Sequence, residues 1–139
     1  MTNDIQTVSP TPLQRSYPPL VGLTSLAILF HAVTAGQFMA RRGQESWVDA
    51  HDMTGYVTLL LAIATAVVAV VAFRQDAPVV WGSVALAVLV AIQLVIGHLI
   101  SDLEQRVWVG LHVPLALVVF GLTAWLALRA AGLRRNRSR

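Results

Sequence analysis

Four stretches of this chain, residues 20–39, 50–73, 79–100 and 107–131, each run for 20 residues or more with at most one charged side chain. That pattern constrains the fold more than any other feature. A bilayer core is about 30 Å thick, and a helix needs about 20 apolar residues to cross it. Lipid offers no partner for open backbone groups, so each run must close its own hydrogen bonds as a helix. The expected fold is all-α, a four-helix transmembrane bundle. Residues 74–78 are too few for anything but a tight turn, so the second and third helices should be antiparallel neighbours. Composition agrees: 56% of residues are hydrophobic and only 12% charged, against about 25% charged in soluble domains.

The ends are read from polarity. Residues 1–19 hold four prolines and many polar side chains, and are expected to form a disordered tail. Nothing there has the basic start, short apolar run and cleavage site of a signal peptide. All ten basic residues are Arg, and five fall in RAAGLRRNRSR. Residues 132–139 therefore read as a basic juxtamembrane tail, and the partner of this charge is expected to be the lipid bilayer, with no nucleic acid. Arg15, Arg74, Arg129, Arg134, Arg135, Arg137 and Arg139 flank one face, while Arg41, Arg42 and Arg106 flank the other. That asymmetry places both termini in the cytoplasm of a multi-pass cell-membrane protein. Cysteine is absent, which excludes a disulfide frame, a thiolate metal site and a covalent c-type haem.

A repeat organises the four runs. GQESWVDAH, residues 43–51, corresponds to EQRVWVGLH, residues 104–112, at an offset of 61. Between residues 36–66 and 97–127, eight of 31 positions are identical, among them Gly36/Gly97, Gln44/Gln105, Trp47/Trp108 and His51/His112. These rarer residue types carry the signal. The expectation is two helical hairpins related by a pseudo-twofold axis along the membrane normal, with both Trp at the membrane interface.

Histidine is uncommon in spans, and ionisable groups there tend to be functional. This chain places four: His31, His51, His98 and His112. The repeat puts His51 and His112 at one depth on diagonal helices. Two imidazoles facing each other across a bundle suit the two axial positions of a haem iron. On the His51 face lie Gly55 and Thr58, and on the His112 face Ala116 and Val119. These small residues, with Gly36 and Gly97 on the other helices, would leave room for a macrocycle. They are equally what close helix packing in lipid requires. His51 also begins a helix beside Asp49 and Asp52, where an interfacial role is a bland alternative. His98 would bond a haem propionate or join His31 at a second haem. His31 would otherwise bond a neighbouring helix, with Thr34 on its face and Gln93 as a cross-helix donor. A compact zinc or copper site of all four is strained, because the repeat sets His31 about two turns deeper than His98.

QLVIGH and LHVPLALVVFGLTAW resemble the third and fourth helices of one half of haem A synthase. Gln93 and Gly97 match its Gln-x-x-x-Gly pattern, and His51 and His112 match its second- and fourth-helix His. The resemblance covers residues 20–131, one four-helix half of an enzyme usually built from two, and implies that His51 and His112 ligate haem. Where the family's second helix has a Glu before the His and an Arg after it, this chain has Val48 and Asp52. The Glu implicated in the oxidation chemistry is therefore missing. A weaker likeness is to cytochrome b type four-helix membrane electron carriers and to small actinobacterial four-helix membrane proteins.

These readings converge on a membrane b-type haem protein working in electron transfer or haem handling near the outer face. His51 and His112 would be the axial ligands of haem b, and Arg41, Arg42 and Arg106 would pair with propionates. A redox partner or a homodimer would complete it. The alternative is a cofactor-free accessory or interaction subunit whose histidines serve helix packing. No nucleophile triad, phosphate loop or buried carboxylate pair marks an enzyme.

Overall fold

The structure is a computed structural model that describes residues 9–42, 44–101, 103 and 105–135. It is an all-α four-helix bundle: α1 spans Pro12–Ala40, α2 Glu45–Ala72, α3 Ala77–Ser101 and α4 Val109–Arg135, the last entered through a short 3-10 turn at Arg106–Trp108. Each helix is long and apolar enough to cross a membrane. At 1.5 Å per residue, even the 25 residues of α3 reach about 38 Å, beyond the hydrocarbon thickness. Large apolar side chains such as Leu26, Leu60, Trp81 and Leu128 face outward on all four helices, as a lipid-facing surface requires.

Helix α1 begins eight residues before the expected span, so residues 12–19 are not a tail. Thr11 accepts from the Gln14 amide, while the Gln14 side chain accepts from the Thr11 amide, a reciprocal capping box. Pro12 follows at the first helical position, where its missing N–H costs no bond. Pro18 and Pro19 sit inside the helix but release only the first-turn carbonyls of Gln14 and Arg15. The expected disorder of residues 1–8 lies outside the described residues. Helix α2 likewise starts five residues early, and α4 continues through residues 132–135 of the expected tail.

The stretches 44–47 and 105–108 share one backbone contact. Gln44 and Gln105 each precede a helical turn, and in each the Trp three residues on donates its amide to the Gln carbonyl, at 2.9 Å for Trp47 and 3.1 Å for Trp108.

The helices form a ring in which α1 touches α2 and α4, and α3 touches α2 and α4, with α1 opposite α3 and α2 opposite α4. Up-and-down connectivity brings the start of α1, the α2–α3 turn and the end of α4 to one end, hereafter the turn end. The α1–α2 and α3–α4 connections lie at the other, the histidine end.

The core is concentrated towards the turn end. Tyr17, Val21, Val79, Leu86 and Leu126 are wholly buried there. Polar pins cross it. Ser83 donates to the Val79 carbonyl, so the Tyr17 hydroxyl must be the donor in its 2.8 Å bond to Ser83 Oγ. Thr24 and Thr65, both fully buried, meet at 3.1 Å between α1 and α2. Gln14 donates to the Ala72 carbonyl, filling one of the open acceptors at the end of α2. Asp76 accepts from the Val79 amide near the start of α3 and from Arg129 of α4 at 2.8 Å, tying the turn to the last helix.

Candidate functional site

At the histidine end the packing opens. A cavity of about 340 Å³ lies inside the bundle, and all four histidines contribute to its wall. Its remaining lining is mostly apolar, with Gln93, Thr58 and Asp52 as the other polar members. A cofactor site has this character: concave, apolar, with few convergent polar groups.

Two of the histidines are locked to each other by a repeated local pattern. HAVT, residues 31–34, and HDMT, residues 51–54, each place a Thr three residues after a His. Each Thr hydroxyl donates back to the carbonyl of its own His, at 2.8 Å for Thr34 and 2.9 Å for Thr54. Each Thr oxygen then meets the imidazole of the other helix: His31 Nδ1 to Thr54 at 2.9 Å, and His51 Nδ1 to Thr34 at 3.2 Å. The two rings stack with centroids 3.8 Å apart and planes 15° apart. Both hydroxyl protons are spent, and His51 Nδ1 also lies 3.2 Å from the His31 carbonyl, which can only accept. The carbonyl contact thus assigns the proton to Nδ1 of His51 and leaves its Nε2 lone pair free. A ring whose Nδ1–H is held by a neighbour and whose Nε2 is open is the form in which histidine binds metals.

This stack corrects the depth expected for His31. The side chain lies level with His51, and its cross-helix partner is Thr54. Gln93 instead donates to the His112 carbonyl at 3.0 Å.

His98 is a different case. Its Nδ1 contacts the Leu94 carbonyl at 2.8 Å and must be the donor, while Nε2 meets the Tyr56 hydroxyl at 3.0 Å. Both nitrogens are used in tying α3 to itself and to α2, so neither a propionate nor a second haem finds a free nitrogen there.

His112 stands diagonally opposite His51, on α4. Its Nδ1 is buried and has no partner among the described residues, and the same is true of the neighbouring Gln93 Oε1. A buried polar atom without a partner is costly, so two beside one cavity mark a place where the chain alone is not satisfied. Glycines lie beside two of the rings, and at Gly55 the fit is tight. A Cβ on Gly97 would lie 3.7 Å from His112 Cε1, and one on Gly55 would come within 3.3 Å of both His31 Cε1 and Leu94 Cδ1. Thr58, Ala116 and Val119 line the cavity as expected.

Other expected members are elsewhere. Gly36 is exposed on α1, and a Cβ there would meet nothing within 4 Å; the repeat gave it the role of Gly97, but α1 is rotated so that it faces away. Arg41 donates to Gln37 and lies 5.5 Å over the Trp47 ring. Neither it, nor Arg42 with its positive φ of 54°, nor Arg106 lines the cavity. A haem propionate would find the Asp52 carboxylate in the wall in place of an Arg. Among the described residues, no three His, Asp or Glu side chains gather into a metal-binding group, so a compact zinc or copper centre is not preformed.

Thr54 and Tyr56 escaped the sequence reading. The H-x-x-T spacing, present twice, was the signal for Thr54. Nothing in the pattern marks Tyr56.

No protein-family model, no curated protein and no solved structure matches this chain at a significant level. What the fold and the site define is a class: a four-helix membrane protein with a histidine-lined cavity between its helices.

Proposed function

We propose that the protein is a membrane b-type haem protein in which His51 and His112 hold the iron from opposite helices. One observation carries this reading: a cavity whose wall includes both imidazoles on diagonal helices, one with its Nε2 lone pair freed by a network that occupies Nδ1 and the other with a buried Nδ1 that has no hydrogen-bond partner among the described residues. The donor set suits a bis-imidazole haem, which would supply one-electron redox chemistry. The protein's own residues supply the rest. Thr34 and the His31 carbonyl fix the His51 tautomer, Gly97 lies beside the His112 ring, and the apolar wall of Val90, Leu94 and Phe120 limits water. With both axial positions filled by protein, electron transfer is favoured over oxygen binding, near the outer membrane face if the termini are cytoplasmic.

The second reading, a cofactor-free accessory subunit, is favoured by the bonds His31 and His98 make between helices. It leaves His112 without a purpose. An absorption spectrum of the protein, made with ample haem and purified in detergent, separates the two. Low-spin bis-imidazole bands are expected, and a colourless protein would reject the haem reading. The orientation follows from the Arg asymmetry. Labelling of Gln75→Cys from outside intact cells, with Gln44→Cys silent, would reverse it.

A further inference from the structure

We propose that the histidine cavity takes its ligand from the bilayer, through a side opening between α1 and α4. The proposal rests on the haem reading for the identity of the ligand, a flat amphiphile with an apolar body, but not for the opening itself.

Two independent observations place the opening. The first is where the cavity wall is exposed. On α2 and α3, every residue of the wall is buried or half-buried. The exposed members all lie on the other two helices: Leu29 and Ala32 on α1, and Val113, Ala116, Leu117 and Phe120 on α4. A residue that both lines a cavity and is exposed stands at its mouth. All six are apolar, so this mouth faces lipid.

The second is which seams are fastened at this end. Helices α1 and α2 are joined by the His31–Thr54 and His51–Thr34 bonds. Helices α2 and α3 are joined by Tyr56–His98, with Leu94 packed against Gly55. Helices α3 and α4 are joined by the Gln93 bond to the His112 carbonyl, with Gly97 against the His112 ring. Between α1 and α4, no hydrogen bond or ring contact is found among the described residues. The seam without a fastening is the seam with the exposed wall. Apolar side chains can part there without breaking a bond that lipid could not replace.

The chain contains no cysteine, so one introduced thiol reports alone. Val119→Cys puts it in the cavity wall, at a site only 4% exposed. The variant is reconstituted in vesicles and treated with a pyrene maleimide dissolved in the lipid. The thiol should react, and adding Leu29→Trp with Leu117→Trp at the mouth should slow it about tenfold. Adding Leu60→Trp on the lipid face of α2 should leave the rate unchanged. In parallel, the same Trp pair in the otherwise native chain should slow uptake of haem from haem-loaded vesicles about tenfold, with the final spectrum unaltered. Equal labelling rates in the mouth and control variants would overturn the opening, whatever haem does. Slowed labelling in a protein whose native form takes up no haem would uphold the opening and overturn the haem reading.

Discussion

The two ends of this bundle solve opposite problems with the same kinds of residue. At the turn end, Tyr17, Thr24, Thr65 and Ser83 are buried and every one finds a partner on another helix. At the histidine end the rings are half-buried around a cavity, and His112 Nδ1 and Gln93 Oε1 are left over. Hydroxyls that bond across helices close a core. An imidazole whose Nδ1 proton is held by a carbonyl, as in His51, leaves a lone pair behind. The bundle therefore holds its shape at one end and keeps an unsatisfied site at the other, a division common where function demands a locally unfavourable arrangement.

Breaking the closed end should cost most. Leu86 is wholly buried, and Leu86→Ala should lower stability by about 2–5 kcal/mol. Leu117→Ala at the cavity mouth should stay within roughly 0.5 kcal/mol, as surface changes do. Thermal unfolding in one detergent compares them, and equal losses would erase the distinction between the ends. Asp76→Ala comes next. It removes a contact at the start of α3 and the Arg129 partner together, and about 1–2 kcal/mol is expected from the capping contribution with a small ion-pair share. A double-mutant cycle with Arg129→Gln separates the two parts. Tyr17→Phe should cost about 1 kcal/mol, the net value of one hydrogen bond. Its hydroxyl is the donor to Ser83, so Ser83→Ala leaves a buried donor without an acceptor and should cost rather more, about 1–3 kcal/mol, and the pair should be less than additive. The smallest effect is expected at the edge of the open end. Tyr56 is exposed, and Tyr56→Phe should change stability by less than about 0.5 kcal/mol while leaving any haem spectrum untouched. A spectral shift in Tyr56→Phe would return His98 to the ligand set.

Much of this was legible in the sequence, for reasons that differ between the ends. Four spans follow from hydropathy, because lipid permits no other solution. The start of α1 departs from the expected tail because four prolines among polar side chains read as a segment too polar to fold. The Thr11–Gln14 capping box, an S/T-x-x-Q signature, was the better guide. The histidines stood out by their rarity in spans, but their gathering into one cavity wall did not follow, since the repeat set His31 about two turns deeper than His98. Nor did their partners, because those depend on how each helix is rotated about its axis. Gly36 and Gly97 show the limit. One offset relates them, yet Gly97 abuts a His ring and Gly36 faces open space. His31 stacks on His51, and among the described residues nothing comparable adjoins His112, so the two ligand candidates are equivalent in sequence and unequal in surroundings.

That inequality makes one measurement decisive: the Soret and visible bands of the haem-loaded protein beside those of His51→Ala, His112→Ala, His31→Ala and His98→Ala, all prepared alike. Low-spin bis-imidazole bands should vanish in His51→Ala and in His112→Ala, and persist in His98→Ala. They should also persist in His31→Ala, altered only as far as the His51 ring loses the neighbour stacked on it. An unchanged Soret band in a double His51→Ala, His112→Ala variant would contradict the account, since the haem would then be held by other residues.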